Sequence, residues 1–178
     1  MRHLTHFVAA GILAAFATIL PPKSSAQQPL ATVPSVDLNR YIGRWYELAR
    51  YPNRFERNCD RDVTATYAVR PDGKISVVNA CYSAAGKLNS ANGWARVVEG
   101  SSNTKLKVTF FWPFFGDYWI IDLDPAYQYA VIGEPSRKYL WILSRSPHMD
   151  DALYAQILAR IAQHGYDPAR IERTRHTQ

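Results

Sequence analysis

The sequence predicts an all-β fold, an eight-stranded antiparallel up-and-down barrel with a C-terminal α-helix packed outside. Three observations predict it. Short segments with alternating apolar and polar residues recur between residues 44 and 145, and turn-forming residues separate them. A single glycine, Gly43, joins a short helical turn to the first of these segments. After Pro147 the apolar spacing lengthens to three or four residues, which indicates one amphipathic helix.

The predicted strands are short and evenly spaced, as in a small antiparallel barrel. They cover 44–51, 63–69, 75–82, 93–98, 105–110, 118–123, 127–132 and 139–145. Contact between the first and the eighth strand would close the sheet and remove its exposed edges.

The register of the second and third strands follows from the turn between them. Pro71-Asp72-Gly73 is a typical turn sequence, because Gly tolerates positive φ. Centring the turn on Asp72 pairs Val69 with Ile75, Tyr67 with Val77, and Ala65 with Asn79. One face of this hairpin is then apolar except for the amide of Asn79.

The chain after the strands predicts a helix at 150–164. Two aspartates can begin it, and Gly165 ends it. Its apolar positions are Leu153, Ile157, Leu158 and Ile161. We expect residues 171–174 to add a short edge strand, which completes a barrel domain at 36–174, and residues 175–178 to form a loose tail.

Residues 1–26 have the pattern of a secretory signal peptide. A basic start precedes an uncharged apolar run from Phe7 to Leu20, and small residues precede the expected cleavage after Ala26. The run is short for a transmembrane span; the alternative is a membrane anchor that is never cut. Residues 27–35 are expected to form a loose leader in an exported protein, either periplasmic or secreted.

Composition limits the function classes. The chain has 178 residues, 47% of them apolar and 20% charged, which suits one domain with a sizeable core. The net charge of +6 favours anionic surfaces weakly. The sequence contains no clustered Lys/Arg run and no interleaved aromatic motif of the kind that indicates nucleic-acid binding, so we expect no nucleic-acid partner.

Gly43-x-Trp45 at the head of the first strand, followed about a hundred residues later by an arginine, Arg145, at the end of the last strand, resembles the lipocalin signature. The strings GRWYELAR, VTATYAV and YLWILSR are similar to the bacterial lipocalin branch, which also resembles apolipoprotein D. The resemblance runs from about Val36 to Ile171. It implies that Trp45 and Arg145 point inward at the closed base of a barrel.

The resemblance also implies a function, the binding and transport or storage of a lipophilic molecule in the bacterial cell envelope, with fatty acids or lysophospholipids as the expected class. Bacterial members are often lipoproteins, which need a cysteine directly after the apolar run. The first cysteine here is Cys59. We therefore expect an exported protein that is not a lipoprotein, with association with the outer membrane left as an option.

The expected ligand-binding side chains are mostly apolar and aromatic. Strand parity, counted from the two anchors and the hairpin face, together with the resemblance for Tyr118 and Ile120, gives the lining set. It consists of Ala65, Tyr67, Val77, Asn79, Val108, Phe110, Tyr118, Ile120, Tyr139 and Trp141. Such a lining suits a ligand with a long apolar body and a small polar end. The alternative is a barrel that these side chains fill, in a structural or membrane-surface protein of the envelope.

Four aromatic residues occupy the turn after the fifth predicted strand. They are Phe111, Trp112, Phe114 and Phe115. With Trp45 at the closed end, this turn falls at the open end, so we expect a mouth patch that contacts a membrane surface or a second subunit. The alternative is that Phe111 and Phe114 fold inward as a lid and leave Trp112 exposed.

The residue pattern does not favour catalysis. No histidine falls on an inward strand position, which removes the usual general base, and the cysteines and histidines match no zinc spacing. We expect no enzyme activity, no metal and no cofactor; a lipid-acting enzyme is the least favoured alternative. Cys59 and Cys81 are expected to form a disulfide, since two cysteines in an oxidising compartment usually pair.

Overall fold

The computed structural model describes residues 28–177, so the expected signal peptide at 1–26 lies outside the described residues. The helices are α1 (Leu38–Tyr41), α2 (Asp151–Gln163) and a 3₁₀ turn (Pro168–Arg170). The strands are β1 (Gly43–Arg50), β2 (Arg61–Val69), β3 (Ile75–Tyr82), β4 (Leu88–Val97), β5 (Lys105–Phe111), β6 (Phe114–Leu123), β7 (Tyr129–Gly133), β8 (Leu140–Ser144) and β9 (Glu172–Arg173).

The first eight strands form a closed antiparallel barrel. Each strand pairs with the next along the chain, and β8 pairs with β1. The predicted fold class is therefore confirmed. Connections after odd-numbered strands lie at the open end, and connections after even-numbered strands lie at the closed end, because neighbouring strands run in opposite directions.

The β2–β3 hairpin has the predicted register. Val69 pairs with Ile75, Tyr67 with Val77, and Ala65 with Asn79. A register shift between Arg61 and Thr64 then ends the regular pairing near the open end. Beyond it, Cys59 and Cys81 form the expected disulfide, with their Cα atoms 5.5 Å apart.

Helix α2 packs on the outside of the barrel, as predicted. Asp150 caps it by accepting from the backbone N–H groups of residues 152 and 153. Ile157 and Ile161 are fully buried against outward-facing residues of β7 and β8. A register shift after Ile120 turns Asp122 toward this helix, where Arg160 Nε donates to it at 2.7 Å. Asp122 therefore lies on the outside of the barrel.

The expectation of a loose tail is wrong for residues 175–177. β1 pairs with β2 only near the closed end, over residues 43–46, and the C-terminal segment fills the gap above. Thr174 N–H donates to the carbonyl of Leu48 on β1, and Asp62 N–H of β2 donates to the carbonyl of Arg175. The end of the chain thus joins the two strands where they separate.

Candidate ligand-binding site

The closed end is built on Gly43, Trp45 and Arg145. Gly43 has φ of +98°, a conformation that glycine adopts without strain, and this turns the chain from α1 into β1. Trp45 is fully buried and donates from Nε1 to the carbonyl of Tyr41 at 2.8 Å. The guanidinium carbon of Arg145 lies 3.8 Å from the centre of the Trp45 ring.

Arg145 also satisfies the end of helix α1. A helix leaves its last carbonyls without intrahelical partners. The guanidinium donates to the carbonyls of Arg40, Tyr41 and Ile42, at 2.8, 3.1 and 2.9 Å, and to that of Arg44 at 2.7 Å. One side chain therefore fixes α1 across the base of the barrel.

Three hydrogen-bonded tyrosines form a floor above this base. The hydroxyl of Tyr118 lies 2.6 Å from that of Tyr41 and 3.1 Å from that of Tyr67. Burial raises the pKa of Tyr67 to about 12 and the pKa values of the other two well above 10, so all three are neutral phenols. The cavity beside them is about 10 Å³, room for one water molecule at most. The lower half of the barrel is filled.

The upper half is an open cup. Inward positions of β4 carry small residues, Ala91 and Gly93, and Ala91 is exposed although it faces inward beside Asn79. Four strands away around the barrel, the ring of Tyr139, directly before β8, stacks on that of Trp141 on β8, with their centroids 5.9 Å apart. Small side chains on one wall and aromatic rings on the opposite wall leave space between them.

The predicted lining residues divide between these halves. Ala65, Tyr67, Val77 and Ile120 are buried in the packed lower half. Five are half-buried: Asn79, Val108, Tyr118, Tyr139 and Trp141. Phe110 is 44% exposed near the mouth. Its ring lies over the inward-facing Gly93, where an added Cβ would come within 2.8 Å of it, so the ring borders the upper part of the cup.

A buried charged cluster on the upper wall escaped the sequence analysis. It contains Glu47, Arg50 and Glu56. Glu47 lies two residues after Trp45 on β1 and therefore faces inward, and a register shift between Glu47 and Ala49 turns Arg50 inward beside Trp141. Strand parity could have located Glu47, but the bulge leaves no clear sequence signal.

The cluster links the wall to the loop above it. Arg50 Nη1 donates to Glu47 at 2.7 Å, and Arg50 Nε lies 3.0 Å from Glu56 Oε2. Trp141 Nε1 donates to Glu56 Oε1 at 3.0 Å, which draws the β1–β2 loop over the cup. Asn79 Oδ1 is buried with no hydrogen-bond partner. Polar groups therefore lie beside an otherwise apolar and aromatic cup.

Burial, followed by the negative charge of Glu56, raises the pKa of Glu47 from 4.5 to about 8. The folded state thus holds a proton that the unfolded chain releases above pH 4.5. We expect the free energy of unfolding to fall as pH rises from 4.5 to 8, by at most roughly 1.4 kcal/mol per pH unit from this group.

Denaturant unfolding at a series of pH values measures this effect. The difference between the native chain and Glu47→Gln isolates it, since the amide cannot ionise. A constant difference between pH 4.5 and 8 would show that Glu47 titrates normally.

Three of the four residues predicted to form the mouth patch are exposed. Phe111, Trp112 and Phe114 are 78%, 74% and 73% exposed, which excludes an inward-folded lid in this structure. Phe115 does not belong to the patch. It is half-buried on the outer wall, where its ring packs edge-on against Trp94 at 5.2 Å.

Within residues 28–177, no group of three or more His, Cys, Asp or Glu side chains could hold a metal ion. No helix in that range is long and apolar enough to cross a membrane.

Comparison with known proteins agrees with this geometry. The family model described as a lipocalin-like domain matches residues 36–176. The chain belongs to the lipocalin family. This lipocalin is 40% identical over 161 residues to the outer membrane lipoprotein Blc of Citrobacter freundii, covering 90% of each chain. It is 40% identical over 156 residues to temperature-induced lipocalin-1 of Arabidopsis thaliana, covering 83% of each.

The predicted likeness to apolipoprotein D is also found. The protein of Macaca fascicularis is 36% identical over 120 residues, which covers 64% of this lipocalin and 62% of the relative. Among solved structures, insecticyanin of the tobacco hornworm Manduca sexta superposes with a TM-score of 0.70 over 86% of this chain and 87% of its own, at 19% identity, which shows the fold.

Membership of the lipocalin family establishes the general function but not the ligand. Lipocalins bind small lipophilic ligands and are generally binding or transport proteins. One expectation is not supported. The relative from Citrobacter freundii is an outer membrane lipoprotein, so the comparisons do not bear out the inference that this lipocalin is not a lipoprotein.

Proposed function

We propose that this lipocalin carries or stores an amphiphile of the fatty acid or lysophospholipid class in the bacterial cell envelope. The observation that carries the proposal is the cup, in which inward-facing Ala91 remains exposed opposite the stacked rings of Tyr139 and Trp141. The envelope location is supported by the names of the bacterial relatives, which are outer membrane lipoproteins.

The filled floor sets how the ligand lies. Because Tyr67 and Tyr118 close the lower half, the apolar chain is confined to the upper half and its polar end stays near the mouth. Burial of about ten methylenes gives roughly 8 kcal/mol before ordering costs, which is enough for micromolar binding. The polar end then lies near the cluster of Glu47, Arg50 and Glu56.

The proposed role is carriage without a chemical step. The three histidines among the described residues are all away from the cup: His148 precedes helix α2, His164 caps its end, and His176 packs edge-on against Tyr46 on the outer wall. A second candidate is a membrane-surface protein with a filled barrel, which the tight floor favours.

Native mass spectrometry followed by lipid extraction separates these functions. A copurifying acyl lipid supports carriage. A protein that is empty and does not bind a fluorescent fatty acid supports the filled barrel, and turnover of a lipid ester would indicate an enzyme.

Trp141→Ala is expected to weaken binding of the fluorescent fatty acid at least about tenfold, because it removes one ring of the aromatic wall. Trp94→Ala is the matched control, since Trp94 is a half-buried tryptophan on the outer wall. Titration at equal protein concentration measures both. Equal affinity in the two variants would place the ligand outside the cup.

A further inference from the structure

Exposed aromatic residues surround the mouth of the barrel. Phe111, Trp112 and Phe114 form the tip of the β5–β6 hairpin, and Phe55, which is 64% exposed, comes from the β1–β2 loop. We call these four residues the aromatic rim. Four large aromatic side chains exposed at one end of a protein indicate a contact surface. Tryptophan in particular favours the boundary between water and lipid, since its ring is apolar and its N–H is polar.

The charges at this end are predominantly positive. The four open-end connections, 51–60, 83–87, 112–113 and 134–139, contain five basic and three acidic residues. The three closed-end connections, 70–74, 98–104 and 124–128, contain two basic and three acidic residues. The excess of positive charge is therefore on the same end as the aromatic rim.

The three acidic groups of the open end are occupied within the protein. Glu56 is paired with Arg50 and accepts from Trp141. Asp60 pairs with Arg175, and the Glu134 carboxylate accepts backbone N–H groups of its own loop.

Four of the basic residues are exposed around the mouth: Arg54, Arg57, Lys87 and Lys138. The fifth, Arg137, donates to the carbonyls of Gln28 and His164. The surface offered to a partner is therefore aromatic and cationic.

We infer that the open end docks on an anionic lipid bilayer. Aromatic side chains enter the boundary between headgroups and acyl chains, and the surrounding Arg and Lys side chains pair with anionic headgroups. A second copy of the chain fits less well, because a two-fold contact through this end would bring the exposed Arg and Lys residues of two copies together. Docking places the mouth of the cup against the lipid; its use for lipid exchange rests on the proposed function.

Vesicle co-sedimentation of the full chain tests the inference. The vesicles are phosphatidylcholine alone or phosphatidylcholine mixed with phosphatidylglycerol. We expect binding to the mixed vesicles, with weaker binding to neutral vesicles and at high salt. Equal binding to both vesicles, or no binding to either, would overturn it.

Two pairs of variants locate the contact. Trp112→Ser combined with Phe114→Ser is expected to reduce vesicle binding at least about tenfold. The control Val69→Ser, which removes an exposed apolar side chain at the closed end, should leave vesicle binding unchanged.

The second pair of variants tests the charges. Arg57→Glu with Lys87→Glu at the open end should reduce vesicle binding by a similar factor. Arg70→Glu with Lys74→Glu at the closed end should leave it unchanged.

Two further measurements on the same variants complete the test. Binding of a fluorescent fatty acid in solution should remain unchanged, so failure of docking and failure of ligand binding are distinguishable. Analytical ultracentrifugation tests whether the aromatic rim contacts a second copy. A dimer that dissociates on Trp112→Ser with Phe114→Ser, without a change in vesicle binding, would assign the aromatic rim to a second copy and refute the lipid contact.

Discussion

Trp45→Ala is expected to lower the free energy of unfolding by about 3 to 5 kcal/mol, one of the two largest effects of a single substitution that we predict. The side chain is fully buried, its Nε1 donates to the carbonyl of Tyr41, and its ring lies beneath the guanidinium of Arg145. Removing it leaves a cavity at the closed end and takes one of two hydrogen-bond donors from the carbonyl of Tyr41. Equilibrium denaturation in urea measures the loss.

Trp112→Ala is the matched control for this change. The same truncation at a side chain that is 74% exposed should alter the free energy of unfolding by less than about 0.5 kcal/mol. Affinity for a fluorescent fatty acid, measured where Trp45→Ala remains folded, should stay near that of the native chain. A Trp45→Ala protein as stable as the control would show that the base is not closed by this side chain.

Arg145→Met is expected to lower the free energy of unfolding by roughly 3 kcal/mol. It removes a charged donor from four backbone carbonyls and leaves the end of helix α1 without its hydrogen-bond partner. Methionine keeps much of the apolar length of arginine, so the loss reports the guanidinium. Thermal and urea unfolding measure it.

Arg40→Met provides the comparison at the same end of the barrel. Arg40 is exposed, lies over the ring of Tyr127 and donates to a single carbonyl, that of Pro125. We expect Arg40→Met to lower the free energy of unfolding by less than about 1 kcal/mol. If both variants lose the same amount, the contacts of Arg145 with α1 contribute nothing specific. A double variant with Trp45→Ala should lose less than the sum of the two single changes, because the residues are in contact.

The sequence specifies the barrel through signals that are local. The turn at Asp72 sets the register of β2 and β3, and the alternation that follows from it places Tyr67 and Val77 inward as predicted. Gly43 marks the bend between α1 and β1. Such features depend on a few neighbouring residues, so they can be deduced without knowing the rest of the fold.

The site was less predictable where strands deviate from strict alternation. A bulge in β1 turns Arg50 inward. A register shift between Val108 and Phe111 interrupts the regular pairing of β5 with β6 near the tip of their hairpin. Phe115, beyond this shift, packs on Trp94 on the outside of the barrel. Bulges insert one residue and reverse the parity beyond them, yet no residue type marks them reliably.

The C-terminal segment has a consequence for the order in which the protein forms. β1 precedes the other seven barrel strands in the chain, and its upper half is hydrogen-bonded to Arg173 and Thr174, which follow all eight. The side of the barrel between β1 and β2 therefore stays open until residues 173–177 have been synthesised. Closing contacts between the two ends of a chain is slow, because the intervening loop must first be brought together. Until then Glu47 lacks its bond from Thr174, and the interior of the cup is open to water from the side as well as from the mouth.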